Sequence, residues 1–277
     1  MKLMILVTSA LNHNDARMAI RQTWGFYSRH HNVGIGFLVG VYRQSPQNAI
    51  IQTEQRRYGD LIQARNVDCY GNLTLKTVSL LEWVDTYCSQ VPFVLKTDDD
   101  MFINIPLLLT LLKEQQKAKR SIFGRLVSKW RPFRANNSKY FLSKSEYEPD
   151  SFPDFLTGPA YLMTQDSVHD LYHQALEMPF LKLEDVFITG YAAVSTGMKR
   201  VNVNEFRNER IPFYTVQIRR TISIHEITPK EQFLLWIRTI FKNKATDESF
   251  KNNQPLKLLS EYANFSRWHT NETYPAP

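Results

Sequence analysis

Cysteine is scarce: Cys69 and Cys88 are the only two in 277 residues, which excludes a disulfide-stapled scaffold and leaves room for one bridge at most. Long apolar runs are missing too, and nothing approaches the roughly 18 to 20 consecutive apolar residues of a membrane-spanning helix. Met1 leads within two residues into a core-strand pattern, so any signal or anchor is expected to lie upstream of this chain. The sequence holds no GxxxxGK[ST] and no GxGxxG, which removes the phosphate-binding P-loop and the dinucleotide fingerprint. It has no internal repeat and no low-complexity tract.

What is present suits a folded domain. Apolar residues make up 43% and aromatic residues 13%, enough to bury a sizeable core in one large domain or two small ones. Lys and Arg number 34 against 27 Asp and Glu, a net charge of +7, which favours anionic partners such as nucleotides. The basic residues are dispersed and form no stripe, so a nucleic-acid partner is not expected. Sequons stand at Asn72, Asn136, Asn264 and Asn271 and matter only if the chain enters the secretory pathway.

Along the first 118 residues strand and helix patterns alternate. LMILVT (residues 3–8) reads as a buried strand, and Asn14 is placed to cap a helix carrying Ala16, Ala19, Ile20 and Trp24. Residues 35–39 read as a strand ended by Gly40, and residues 73–87 as a long helix. Residues 93–96 form a strand that runs into three aspartates, and Asn104 with Pro106 opens a helix reaching about residue 117. Such alternation predicts a parallel sheet with helices on both faces and ligands beyond the strands' carboxyl ends. Residues 130–159 mix aromatics, Pro, Asn and Lys without a period, as pocket-shaping loops do. Helical patterns return at 166–176 and 184–195, a strand at 221–225, and an amphipathic helix opens at Pro229. The expected organisation is one domain over residues 1–242, with an alternating half (1–120) and a specificity-shaping half (121–242), and a polar tail over 243–277.

Asp98, Asp99 and Asp100 directly follow an apolar strand, and their mutual repulsion is costly unless a cation or hydrogen-bond donors absorb it. A hard divalent ion, Mn2+ or Mg2+, would leave positions open for phosphate oxygens and would neutralise charge on a departing nucleoside diphosphate. The alternative is a turn whose aspartates cap the next helix. His225, closing a strand in TISIHEI, can complete a metal site as neutral imidazole or serve structure alone. Glu184 and Asp185 open a helix at LEDVFITG, where free amides favour an ionised carboxylate suited either to general-base catalysis or to simple capping. Arg17 and Arg21, four apart on one helix face, can grip a diphosphate or form a solvated basic face. Lys76 is similarly placed after a strand.

Taken together, ARMAIRQTWG (16–25), FLVG (37–40), YGDLIQ (58–63), NLTLKT (72–77), FVLKTDDDMFIN (93–104) and LEDVFITG (183–190) resemble the beta-1,3-galactosyltransferase family, glycosyltransferase family 31. That family also includes beta-1,3-N-acetylglucosaminyltransferases. The resemblance spans residues 3 to 240 in the expected order. It implies an α/β fold of GT-A type with a central, mostly parallel sheet, a manganese cofactor, and inverting transfer of galactose from UDP-galactose to an acceptor glycan in beta-1,3 linkage. It also implies that residues 1–120 and 121–242 are the nucleotide-binding and acceptor-binding halves of one catalytic domain. UDP-N-acetylglucosamine as donor, or a non-catalytic sugar or nucleotide binder, are the alternatives.

The same resemblance implies Asp185 as base, Asp100, His225 and Asp98 at the metal, and Thr8, Arg17, Arg21, Lys76, Asp98 and Asp99 around the donor. Tyr147, Gly158 and Glu184 fall on the acceptor side. Leu156 stands where several relatives carry cysteine, which leaves Cys88 without that partner. A Golgi membrane setting, through an N-terminal anchor absent from this chain, is also implied.

Overall fold

A computed structural model describes residues 1–29, 32–42 and 46–240. The expected polar tail, with the sequons at Asn264 and Asn271, lies outside the described residues.

The elements follow in the order β1 (Leu3–Thr8), α1 (Asn14–Gln22), β2 (Val33–Val41), α2 (Pro46–Tyr58), β3 (Leu61–Val67), α3 (Leu73–Tyr87), β4 (Phe93–Asp98), β5 (Phe102–Ile103) and α4 (Ile105–Glu114). Then come β6 (Ser121–Val127), β7 (Phe155–Thr164), α5 (Gln165–Glu177), a π-helical turn over Val186–Ala192, α6 (Ala193–Ser195), β8 (Lys199–Asn202), β9 (Phe206–Arg207), α7 (Thr215–Arg219), β10 (Ser223–Ile224) and α8 (Pro229–Ile240).

Among the described residues seven strands form one sheet in the order β3-β2-β1-β4-β7-β6-β8. Every neighbouring pair is parallel except those of β7, which runs against both β4 and β6. Both faces are covered, as the near-continuous apolar runs of β1 and β4 require. Leu3, Ile5 and Val7 of β1 point into one core with Ile20, Leu108 and Trp236, while Met4 and Leu6 point into the other with Leu80, Val84 and Leu171. The mixed α/β class and mostly parallel sheet expected from the sequence are the observed ones.

A small sheet, β5-β10-β9, sits at the carboxyl end of the main one. Its antiparallel register sets Ile224 opposite Phe102, and the Ile227 amide donates to the Asp100 carbonyl at 2.8 Å. Residues flanking the two strands, His225 and Asp100, are thereby brought face to face.

Local details depart from the sequence expectations. Asn14 does not cap α1; His13 precedes the helix, and the Asn14 amide donates instead to Glu54 Oε2 at 3.0 Å. β2 continues through Gly40 to Val41 because its ladder to β3 resumes past a bulge, and α4 stops at Glu114. Asn104 does cap α4, accepting from the Leu107 amide at 3.3 Å. The strand expected over 221–225 shortens to two residues, since the His225 amide turns away to the Glu209 carbonyl. The helix expected over 184–195 forms with a widened turn. There Thr189 Oγ1 donates to the Leu156 carbonyl at 2.8 Å, and Gly190 packs where a Cβ would lie 3.3 Å from Phe155 and Pro153. Such π turns recur where a helix is re-aimed at a functional site.

Candidate active site

The triplet at the end of β4 does not act as one cluster. Parallel register sets Thr8 beside Asp98, and Thr8 Oγ1 donates to Asp98 Oδ1 at 2.5 Å. Asp99 turns the other way: its Oδ2 accepts from Ser9 Oγ at 2.7 Å and meets His13 Nδ1 at 2.9 Å. Asp100 faces His225 Nε2 at 3.3 Å. Each aspartate thus has its own set of partners, and Asp98, Asp100 and His225 do not all bring ligand atoms within 4.8 Å of one another. Asp100 and His225 stand together, and Asp98 makes a different contact.

That contact is Lys96, two residues earlier on β4. Its ammonium, buried to 3% exposure, donates to Asp98 Oδ1 at 2.7 Å and to the Gly158 carbonyl at 2.8 Å, and lies 3.7 Å from Glu184 Oε2. The antiparallel register of β4 and β7 sets Lys96 opposite Tyr161, whose hydroxyl donates to Glu184 Oε1 at 2.6 Å. Gly158 then completes the link, because its own amide donates to Asp185 Oδ2 at 3.1 Å while Asp185 Oδ1 accepts from the Val186 amide at 2.9 Å. A Cβ at Gly158 would sit 3.1 Å from Glu184 Oε2 and 3.3 Å from Asp185 Cβ, so any larger residue here would push on the two carboxylates. One buried ammonium therefore joins the end of β4 to the Glu184–Asp185 turn.

The basic residues expected to hold a donor are committed elsewhere. Arg17 is fully buried, and all five of its N–H groups are used: Nε and one on Nη2 by Glu54, two on Nη1 by Ser9 Oγ and the Ala10 carbonyl, the last by the Leu11 carbonyl. Arg21 forks onto Asp60 at 2.7 and 2.8 Å, reaches Glu54 at 2.8 Å, and lies between the rings of Phe37 and Tyr58. Lys76 donates to the Ser9 carbonyl at 2.9 Å and to Asp68 at 2.5 Å, and Asp68 accepts from the Leu11 amide. These cations do not present themselves to a diphosphate. Arg17 and Lys76 instead pin the loop over residues 9–11, and through Ser9 they hold Asp99.

Tyr147 is likewise not a surface contact. It is buried, packs on Phe152 at 5.1 Å, and spends its hydroxyl on the Ser151 carbonyl and Tyr191. The exposed aromatics lie nearby instead. Tyr70, Phe133 and Tyr140 form a shelf with ring centroids 6.4 Å (Tyr70 to Tyr140) and 5.9 Å (Phe133 to Tyr140) apart. Lys182, just ahead of Glu184, lies 5.7 Å from the Phe141 ring and so sets this loop beside the two carboxylates. Cys69 and Cys88 are both free.

A sequence profile described as galactosyltransferase matches residues 15–204, a span that carries every residue of the Lys96 network. The chain belongs to the galactosyltransferase family. It is 36% identical over 244 residues to beta-1,3-galactosyltransferase 5 of Gorilla gorilla gorilla, covering 84% of this chain and 80% of that protein. It is 32% identical over 237 residues to beta-1,3-galactosyltransferase 1 of Mus musculus, covering 84% and 72%. Among solved structures, a glycosyltransferase involved in the glycosylation of the major capsid of PBCV-1 aligns at a TM-score of 0.47 and 10% identity, over 84% of this chain and 97% of that one.

Electrostatics in this glycosyltransferase follow from the enclosed network. Burial pushes the Glu184 carboxyl up to about 7, against the pull of Lys96 and with the push of Asp185. Burial also raises Asp185 above the usual carboxylate range, opposed by the amides of Val186 and Gly158. Burial alone would lower the Lys96 ammonium, but Asp98 and Glu184 raise it above its ordinary value and keep it charged. Sequence reasoning passed over Lys96, although a lysine inside the otherwise apolar FVLKT was a visible signal: a buried cation demands buried anions.

Lys96→Met strands Asp98 and Glu184 without their cation and is expected to cost about 3–5 kcal/mol in urea denaturation; a loss under about 1 kcal/mol would assign the ammonium no such role. Glu184 ionises at about 7 in the fold against 4.5 ordinarily, so across that window the folded state keeps a proton the unfolded chain has released, and stability falls as pH rises. Glu184→Gln should flatten this dependence by up to about 3 kcal/mol. Parallel stability curves for wild type and variant would mean Glu184 titrates normally.

Proposed function

We propose that this chain transfers galactose from UDP-galactose to an acceptor-glycan hydroxyl in beta-1,3 linkage with inversion, and that Asp185 is the general base. The observation that carries the reading is the bridge through Lys96. In support of that reading, the bridge links an oriented carboxylate to the acidic end of β4 through hydrogen bonds of Lys96 and Gly158, at the sheet end where α/β proteins bind ligands, in a chain whose relatives are named beta-1,3-galactosyltransferases.

Asp185 is held through both oxygens by backbone amides, which fixes its direction and leaves lone pairs free. Its raised pKa makes it a better proton acceptor than an exposed aspartate. In the proposed step Asp185 takes the acceptor hydroxyl's proton as that oxygen bonds to the anomeric carbon. The bond from that carbon to the UDP oxygen breaks on the opposite face, and UDP leaves with the electron pair. Positive charge developing on the sugar is stabilised by the carboxylates nearby.

Asp100 and His225 fit a divalent ion. An oxygen and a nitrogen ligand atom stand 3.3 Å apart, and half of the Asp100 side chain faces solvent; this donor pair suits Mn2+ and also accepts Mg2+. When bound, such an ion supplies Lewis acidity to the diphosphate oxygens. The Tyr70, Phe133 and Tyr140 shelf is the proposed stacking surface for the acceptor sugar, since aromatic faces cover the apolar face of a pyranose ring while leaving its hydroxyls wet. A Golgi membrane setting through an upstream anchor belongs to the same reading; among the described residues no helix is long and apolar enough to cross a membrane.

Asp185→Asn should cut galactose transfer about a hundredfold or more while UDP affinity, measured by calorimetry with Mn2+, stays at the wild-type value. Turnover close to wild type would pass the base role to another residue. Tyr140→Ala should raise the acceptor KM about fivefold or more, the scale of a lost stacking contact, with the KM for UDP-galactose unchanged; a rise in the donor KM alone would move the shelf to the donor side.

A further inference from the structure

Helices α3 and α5 pack through Leu80, Leu81 and Val84 on one side and Val168, Leu171 and Ala175 on the other, all buried in a single core. That packing fixes what stands on the solvent edge of the seam. His169 and His173, four apart and so on one face of α5, have ring centroids 4.3 Å apart. From α3, Asp85 reaches His169 Nδ1 with its oxygens at 3.1 and 3.2 Å. One ligand atom from each of the three lies within 4.8 Å of the other two, and no other such group of three occurs among the described residues.

The geometry points to a binding site for one divalent transition-metal ion of the zinc class, held by Asp85, His169 and His173 with water in the remaining position. Two imidazoles and one carboxylate select zinc over the harder manganese and magnesium, which prefer all-oxygen or mainly oxygen surroundings. Tetrahedral bonds of about 2.0–2.2 Å require ligand atoms roughly 3.3–3.5 Å apart, so small rotations of exposed side chains close the site while both helices stay in place. The side chain of His169 is 62% exposed, which gives an ion a path in. Asp85 follows Lys76 by nine residues on α3, about 14 Å along the axis, so this site is separate from the one at the end of β4 and does not depend on the transfer reaction. A bound ion would cross-link two helices otherwise joined here only by apolar packing and surface contacts, and would thereby stabilise the fold.

The test is calorimetric titration of Zn2+ into the chain carrying no histidine tag. One ion is expected at this site. Asp85→Asn and His173→Ala should each weaken it at least about tenfold, whereas Asp100→Ala should leave it intact. Zn2+ should raise the thermal midpoint of the wild type and not that of a His169→Ala/His173→Ala double variant. Circular dichroism of the double variant is the check that it is folded. Zinc affinity and thermal shift retained in that double variant, or no binding to the wild type, overturns the site.

Discussion

A single ammonium group, shut away from water, ties this molecule together where it matters. Lys96 sits in the middle of an apolar strand and satisfies itself on Asp98, on the Gly158 carbonyl and in the field of Glu184. A charge taken out of water is tolerated only when fixed partners replace the lost hydration, so the partners must stay where they are. The distance between the end of β4 and the Glu184–Asp185 turn is therefore set by one lysine side chain and by a glycine at which a Cβ would crowd both carboxylates. Had β7 run parallel to β4, Tyr161 would not stand opposite Lys96, and Glu184 would lose the hydroxyl that partners its other oxygen.

The same logic recurs at the carboxyl end of β1. Arg17 with Glu54 and Lys76 with Asp68 are buried ion pairs whose remaining hydrogen bonds go to the backbone of residues 9–11. Burial disfavours Glu54's charge, yet the hydrogen bonds from Arg17, Asn14 and Arg21 outweigh it and pull its pKa down to about 2. The pairs keep an irregular loop at the sheet end in one conformation, and Ser9 hands that order on to Asp99. Basic residues near a strand end thus order the backbone of residues 9–11.

Membership of the galactosyltransferase family and the arrangement of carboxylates bear on each other. The matched span, 15–204, holds β4, Gly158 and the Glu184–Asp185 turn but ends before His225. The small sheet returns His225 to Asp100 from a segment some twenty residues beyond that span, so the Asp100–His225 pair is assembled by topology and not by sequence neighbourhood. In the exposed aromatic shelf, the feature most open to change without cost to the core, Phe133 and Tyr140 come from the irregular stretch whose lack of period marked it as pocket-forming, and Tyr70 joins them from the segment ahead of α3.

The sequence alone determined the elements whose signal is local. LMILVT and FVLKTD are apolar enough to declare buried strands, Asn104 and Pro106 declare a helix start, and the ordered motifs carry the family. It also singled out Asp98, Asp99, Asp100, Asp185 and His225, because carboxylates and imidazole at strand and helix ends are visible without any fold. α2, β3, β6 and β8 carry weaker patterns, with polar or charged residues on one side, and were not legible. Tertiary structure alone decided which charges face each other. It sent the three adjacent aspartates to three different partners, turned Arg17, Arg21 and Lys76 inward, buried Tyr147, and gave Lys96 its part. Hydrophobic periodicity records burial along one element, whereas the energy of a charge depends on donors and acceptors brought from distant elements, and that pairing exists only once the sheet has formed.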